Sequence, residues 1–493
     1  MTRDHDVIVL GGGPGGSTAA SFIAMKGHRV LLLEESSFPR HQIGESLLPA
    51  TIHGICRMLG LSEEIEQAGF RRKRGGTFRW GKSPEPWNFA FTENPTDPYG
   101  YAYQVERARF DEILLRGAAR KGVDVREEHT VSGLIVEDGR AVGVRYRGGD
   151  GVEREARAKY VADASGHRSH ASGFVGDRVY SRFFQNVAVY GYFEHAKRLP
   201  SPNQGNILCA AFRDGWFWYI PLSDTLTSVG AVVSREAAEA LKAGHEAAFG
   251  SFVAACPIIE EYLGGATRVT TGKYGEFRVR KDYSYCNTRF SGPGMVLVGD
   301  AACFIDPVFS SGVHLATYSA LLAARAINTR LGGGLDDERV FQEYETRYRR
   351  EFGNFYQFLM AFYDMDQEMD SYFWSARKIV STDERDNEAF VRLVAGRSDV
   401  DEPAFYEGQD FFDEREGFGA WMEQSLNPAA SPGRAEPPRR LSGGFDAGDF
   451  MAGFTQEIAQ LQAQARLGER RGAEAPRRSG GLVPSRDGLE WQV

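Results

Sequence analysis

The stretch "DVIVLGGGPGGSTAASFIAMKGHRVLLLEE", residues 6–35, limits the fold more than any other part of the chain. Its first apolar run stops at glycines after four residues, a series of small residues follows, and a second apolar run ends at Glu34. This order predicts strand, glycine turn, helix and strand, one βαβ unit. Gly11, Gly13 and Gly16 form G-x-G-x-x-G, whose missing side chains permit a tight turn and close approach of the backbone to a pyrophosphate at the helix N-terminus. Glu34, about 20 residues on, is placed to accept hydrogen bonds from a ribose diol. The pattern alone leaves NAD, FAD and a ligand-free glycine turn open.

Strand patterns recur in "VSGLIVEDGRAVGVRYRGG", with a hairpin turn at Asp138-Gly139, and in "YVADASG". A β-rich stretch spans about 178–290. "GMVLVGDAACFIDPVFSSGVHLATYSALLAARAIN" then returns to strand, turn and small-residue helix. The expected class is therefore α/β, an α+β chain overall, with a discontinuous Rossmann-like nucleotide-binding domain carrying a β-rich insertion within residues 1–330. Residues 331–425 read as a helical region. From 426 to 493 Pro, Arg, Gly and Ser dominate, so a largely flexible tail is expected, with one helix at "AGFTQEIAQLQAQARLG".

Of 493 residues, 42% are apolar, enough for a substantial core. The net charge of -9 comes from intermixed acids and bases, leaving no basic stripe for nucleic acid. Five widely spaced cysteines without C-x-x-C give neither a disulfide framework nor a metal site. No leader-like or membrane-spanning apolar run is visible, so a soluble, cytoplasmic protein without a membrane partner is expected.

Two further segments resemble the para-hydroxybenzoate hydroxylase class of flavoproteins. "YQVERARFDEILLRGAARKG" is similar to its V-x-R-x-x-F-D helix, with Arg107 matching the arginine that meets the cofactor. "VLVGDAACFIDPVFSSG" is similar to its second fingerprint. There Asp300 matches the acid that binds the ribityl chain, and Pro307 precedes a helix start facing the isoalloxazine. The resemblance implies FAD, with Gly11, Gly13, Gly16, Glu34, Arg40, Arg107, Asp300 and Pro307 at the cofactor. A solvated arginine and a helix-capping aspartate are the bland alternatives.

"GWFWYIPLSD" sharpens the resemblance, because Trp216, Trp218, Ile220 and Pro221 match the W-x-W-x-I-P motif of flavin-dependent halogenases. By residue pattern alone, the same stretch reads as an aromatic strand ended by proline. In "RRKRGGTFRWG", Lys73 matches the family's catalytic lysine, although the charges around it read equally as a solvated run. "HQIGESLLP" is similar to the strap that crosses the flavin, with Glu45 and Ser46 shaping a tunnel.

The resemblance implies that reduced FAD (FADH2) and O2 turn chloride or bromide into hypohalous acid, and that Lys73 delivers the halogen to an aromatic ring behind a tryptophan wall. A halide site then falls at Ser310, Ser311 and Gly312, whose amides open a helix. It also implies a separate flavin reductase. Phe309 stands where tryptophan halogenases carry a glutamate, which disfavours free indole. The loop is closer to phenolic and pyrrolic types, with an electron-rich aromatic substrate either free or on an acyl or peptidyl carrier protein. A flavin-dependent aromatic monooxygenase of the same fold is the alternative.

Overall fold

A computed structural model describes residues 5–80, 86–91, 98–169, 171–364 and 482–493. The opening unit forms strand Val7–Leu10, helix Pro14–Ala24 and strand Val30–Leu33. Every residue of both strands is buried, as parallel strands covered on both faces require. The six-stranded sheet runs in the order Ser291–Gly292, Met295–Leu297, Tyr160–Asp163, Val7–Leu10, Val30–Leu33, Asp124–Arg126. All neighbours are parallel except the first pair. Met295–Leu297 lies beside Tyr160–Asp163, so two distant parts of the chain complete one sheet. The hairpin forms at its predicted turn, where Asp138 and Gly139 have φ of 49° and 73°.

The residues between those parts build most of a nine-stranded sheet. From one edge its order is Cys303–Phe304, Arg278–Asn287, Arg178–Glu194, Leu226–Val233, Gly215–Pro221, Ile207–Phe212, Gly75–Arg79 and Trp87–Ala90. The short strand Thr267–Arg268 also pairs with Arg178–Glu194. The recruitment of Gly75–Arg79, parallel to Ile207–Phe212, brings in a strand from outside the insertion. Glycine lets Trp87–Ala90 pair closely on its other side, because a Cβ on Gly75 would lie 1.9 Å from Phe89 O. Its consequence is that Lys73 is carried to the sheet.

The insertion also contains helices His245–Ala254 and Pro257–Leu263. They cover the sheet's outer face, where Phe217, Tyr219, Val229 and Ala231 pack with Phe249, Phe252 and Ile259. Trp216, Trp218, Ile220, Tyr190, Tyr192 and Cys209 alternate with them onto the inner face and join the core of the six-stranded sheet.

Helix Gly312–Leu331 is followed by helix Asp337–Asp364. The second helix braces both sheets: the Tyr344 hydroxyl donates to Leu297 O, and Arg349 donates to Asn287 O at 3.0 Å and Thr288 O at 2.8 Å. Residues 365–481, including the expected further helices and the helix at 452–468, lie outside the described residues. For residues 482–493 the expected flexible tail gives way to a small folded hairpin of Val483–Pro484 and Trp491–Gln492. Leu482, Leu489 and Trp491 are buried, and the Arg325 and Arg347 guanidiniums lie over the Trp491 ring at 5.1 and 4.6 Å. Three apolar anchors in twelve residues outweigh the polar composition around them.

Truncating Trp491 to alanine empties a buried aromatic site and is expected to cost about 3 kcal/mol in denaturant unfolding.

Candidate active site

The glycine turn is closed by backbone contacts that exclude side chains. A Cβ on Gly16 would lie 1.9 Å from Gly11 O, and one on Gly11, at φ 93°, would lie 2.6 Å from Ala164 O. Gly13 caps the first helix, and Pro14 opens it. The first-turn amides therefore face outward without intrahelical acceptors, the arrangement a pyrophosphate requires. Glu34 is buried at the end of its strand and accepts from Gly12 N at 2.6 Å and Ser36 N at 2.9 Å. Turn and carboxylate thus form one cradle that fits an adenine dinucleotide.

Arg107 begins helix Arg107–Arg120. Its guanidinium pairs with Asp111, one helical turn on, at 2.7 and 2.9 Å. It also donates to Ile43 O and, at 3.2 Å, to Gly44 O, so it ties the helix to the strap. Arg40 pairs with the same Asp111 at 3.0 Å and approaches Glu34 at 3.9 Å. Asp111 anchors both cationic groups, a role that was visible as the final aspartate of the V-x-R-x-x-F-D pattern but was not assigned. Asp300 sits on the turn Gly299–Ala301 with its carboxylate 2.9 Å from His167 Nδ1. His167 is a second neighbour of this site without a sequence signal.

Lys73 ends the short strand Arg71–Lys73 and is 1% exposed. Its Nζ donates to Leu47 O at 3.0 Å and lies 3.4 Å from Ser310 Oγ, in the loop that leads into helix Gly312–Leu331. The strap, the lysine and the loop therefore meet at one amine. Burial pushes its pKa down to about 7, with a small opposing effect from Cys209.

Pro307 opens a single turn, Pro307–Phe309, whose start is capped by Asp306 accepting from Val308 N at 3.0 Å. Ser310 follows in the left-handed region at φ 60°, a strained position for a residue with a Cβ. Its amide donates to Pro307 O at 2.9 Å. The three-amide expectation is thus corrected: Ser311 and Gly312 supply the amides that remain at the start of Gly312–Leu331. The Ser311 hydroxyl is buried with no hydrogen-bond partner among the described residues, a donor suited to an anion.

The tryptophans form the inner wall. Trp216 lies between Trp80 and Trp218, with ring centroids 6.2 and 6.4 Å away. Trp218 reaches Tyr190 at 5.6 Å, and its indole N–H donates to Ser228 Oγ at 3.2 Å. Beneath it, Gly230 leaves room that a Cβ would close to 2.2 Å. Ile220 and Pro221 are buried at the end of the strand. Ser46 pairs with Gln104 in an isolated bridge, while the Glu45 side chain is buried and accepts from Tyr192 OH at 2.9 Å. A cationic amine, a helix-start anion cradle and an apolar wall are the parts needed to hold a small anionic or electrophilic species near a ring.

Residues 6–98 and 92–436 match the family described as tryptophan halogenase. The chain belongs to the tryptophan halogenase family. It is 36% identical over 378 residues to the tryptophan 2-halogenase of Chondromyces crocatus, covering 76% of this chain and 70% of that protein. Among solved structures it resembles the myxobacterial chondrochloren halogenase CndH, described as a new variant of FAD-dependent halogenases, at 64% identity and TM-score 0.76 over 100% of both chains. It also resembles the flavin-dependent halogenase CmlS at 34% identity and TM-score 0.68, over 94% of this chain and 79% of the other. This halogenase is an oxidoreductase, and the family match favours that activity over the monooxygenase alternative. No helix among the described residues is long and apolar enough to cross a membrane.

Gly230→Ala is expected to push the Trp218 ring off the sheet, cost about 1–3 kcal/mol of stability and shift the tryptophan fluorescence.

Proposed function

We propose that this enzyme halogenates an electron-rich phenolic or pyrrolic ring, free or tethered to a carrier protein, through Lys73. The carrying observation is the buried Lys73 amine, in contact with both the strap and the halide loop. Bound as FADH2, the flavin supplies the two electrons with which O2 and halide yield hypohalous acid. A separate flavin reductase is the expected source of those electrons.

The glycine turn and Glu34 would hold the adenosine end of FAD. Arg40 and Arg107 would fix the strap over its middle, and Asp300 would receive the ribityl chain. Ser311 and Gly312 would bind chloride or bromide. The wall of Trp216 and Trp218 would keep the organic substrate from the flavin and admit only the small oxidant. With its pKa lowered by burial to about 7, the residue can donate a hydrogen bond to hypohalous acid or take the halogen as a haloamine. Phe309 is buried against Phe78 at 6.3 Å, so no carboxylate stands at the place where an indole substrate would need one.

Free tryptophan is the second reading, favoured by the similarity to a tryptophan 2-halogenase. Incubation with reductase, NADH, O2 and halide should incorporate halogen into phenolic or pyrrolic acids, free or carrier-loaded, as read from isotope patterns by mass spectrometry. Halogenation of free tryptophan alone would reverse the substrate assignment, and hydroxylated product without halogen would overturn the mechanism.

Lys73→Ala is expected to lower halogenation by about 100-fold or more while FAD remains bound. If a haloamine forms, the wild-type rate should rise with pH through about 7 as the amine loses its proton, because the neutral form is the nucleophile. Trp218→Ala should reduce halogenation far more than FAD affinity, measured by flavin absorbance; equal loss of both would make the wall merely structural.

A further inference from the structure

Replacing a ring hydrogen by halogen releases a proton as well as an oxygen leaving group. Lys73 can serve the oxygen, but Phe309 offers nothing to the ring proton. A carboxyl group is nevertheless buried in the same strap. Glu45 lies two residues before Leu47, whose carbonyl holds Lys73, and is 2% exposed. One of its oxygens accepts from Tyr192 OH at 2.9 Å. The Ser228 hydroxyl stands beside the same carboxyl group as a second donor. Tyr192 OH is in turn 2.9 Å from His41 Nε2, and His41 is only partly buried. A continuous path therefore leads from a buried carboxyl group through a phenol to an imidazole near solvent. Ser228, beside Glu45, takes the Trp218 indole N–H, so the path begins at the tryptophan wall.

We propose that Glu45 is the proton acceptor of the halogenation step and that Tyr192 and His41 conduct the proton outward. This rests on the Lys73 reading above. In the step, the ring's electron pair attacks the halogen, the carbon–halogen bond forms and the halogen–oxygen bond breaks. The departing hydroxide takes a proton from the Lys73 ammonium and leaves as water, and the ring carbon gives its proton to the Glu45 carboxylate. The sum is aromatic C–H plus hypohalous acid giving aryl halide plus water, after the relay returns the Glu45 proton to solvent and Lys73 is reprotonated.

The surroundings suit both protonation states. Burial raises the Glu45 pKa to about 7 and the neighbouring Glu106 adds to the rise, while the Ser228 and Tyr192 hydroxyls and the Arg107 guanidinium oppose it. Burial, with Arg278, Arg280, Lys273 and Arg107 around it, lowers the His41 pKa to about 4, so the imidazole is neutral and able to accept and donate. Tyr274 packs against both rings, at 6.2 Å from His41 and 4.1 Å from Tyr192.

The test uses the holoenzyme with reductase, NADH, O2 and chloride, and a 4-hydroxyphenyl probe deuterated ortho to its hydroxyl, given as free acid and as carrier thioester. Glu45→Gln keeps the shape and can still accept from Tyr192, but it cannot take a proton. It should slow halogenation at least tenfold and reveal a primary deuterium isotope effect that wild type lacks, with FAD binding and hypohalous acid formation retained. Tyr192→Phe should slow the reaction less and give a solvent isotope effect. Independently of turnover, infrared difference spectra should show a carboxylic-acid carbonyl band that titrates near pH 7 in wild type and is missing in Glu45→Gln. Halogenation by Glu45→Gln at the wild-type rate, loss of FAD in parallel with product, or absence of the titrating band would each overturn the role of Glu45. Failure of wild type to halogenate either form of the probe while the band titrates would count against the substrate assignment and leave the relay standing.

Discussion

The organisation of this site follows from a single buried amine. Lys73 is almost fully enclosed, and its amine meets the Leu47 carbonyl of the strap and the Ser310 hydroxyl. An ammonium at this depth loses much of its hydration, and among the described residues no carboxylate pairs with it. The protein answers by lowering the pKa rather than by neutralising the charge with a partner. An acid at the place of Phe309 would favour the protonated form. With the apolar Phe309 buried there instead, burial lowers the Lys73 pKa to about 7.

Bringing that amine to the loop required the sheet to recruit a strand from outside the insertion. Gly75–Arg79 pairs parallel with Ile207–Phe212, which places Phe78 beside Cys209 and Cys209 beside Trp218. The period of two along these strands separates two tasks. Phe217 and Tyr219 bury against the outer helices and fix the strand, while Trp216 and Trp218 face inward. Packing and function are therefore not alternatives for the aromatic strand. Its outer face supplies the rigidity that positions its inner face, and the Trp218 hydrogen bond to Ser228 adds a defined orientation.

The local elements were legible because local chemistry specifies them. Four residues before a glycine turn can only be a short strand, Asp138-Gly139 selects a two-residue turn, and Glu34 falls where the second strand ends. Lys73 could be chosen only by resemblance, since its neighbours Arg71, Arg72 and Arg74 carry the same charge and nothing in the run shows that Lys73 alone is buried. Tyr192, His41, Glu45 and Ser228 are spread over 188 positions, and their hydrogen bonds exist only after the nine-stranded sheet closes, so no spacing could reveal them. The terminal hairpin was hidden differently. Composition averaged over a Pro- and Arg-rich stretch obscured three apolar residues, Leu482, Leu489 and Trp491, that bury against the nucleotide-binding side.

The strap connects these levels. Residues 43–47 run from the carbonyls of Ile43 and Gly44, held by Arg107, through the Glu45 side chain to the Leu47 carbonyl that holds Lys73. Gly44 lies in the left-handed region at φ 96°, and a Cβ there would come within 2.9 Å of the Arg107 guanidinium. A side chain at that point would have to push the Arg107 guanidinium aside and would sit at a strained backbone angle. The Arg107–Asp111 pair is buried, and breaking it would leave a buried charge uncompensated, so this anchor has little freedom to drift. The strap therefore joins the Arg107 anchor, within four residues, to both the Lys73 amine and the buried Glu45 carboxyl group.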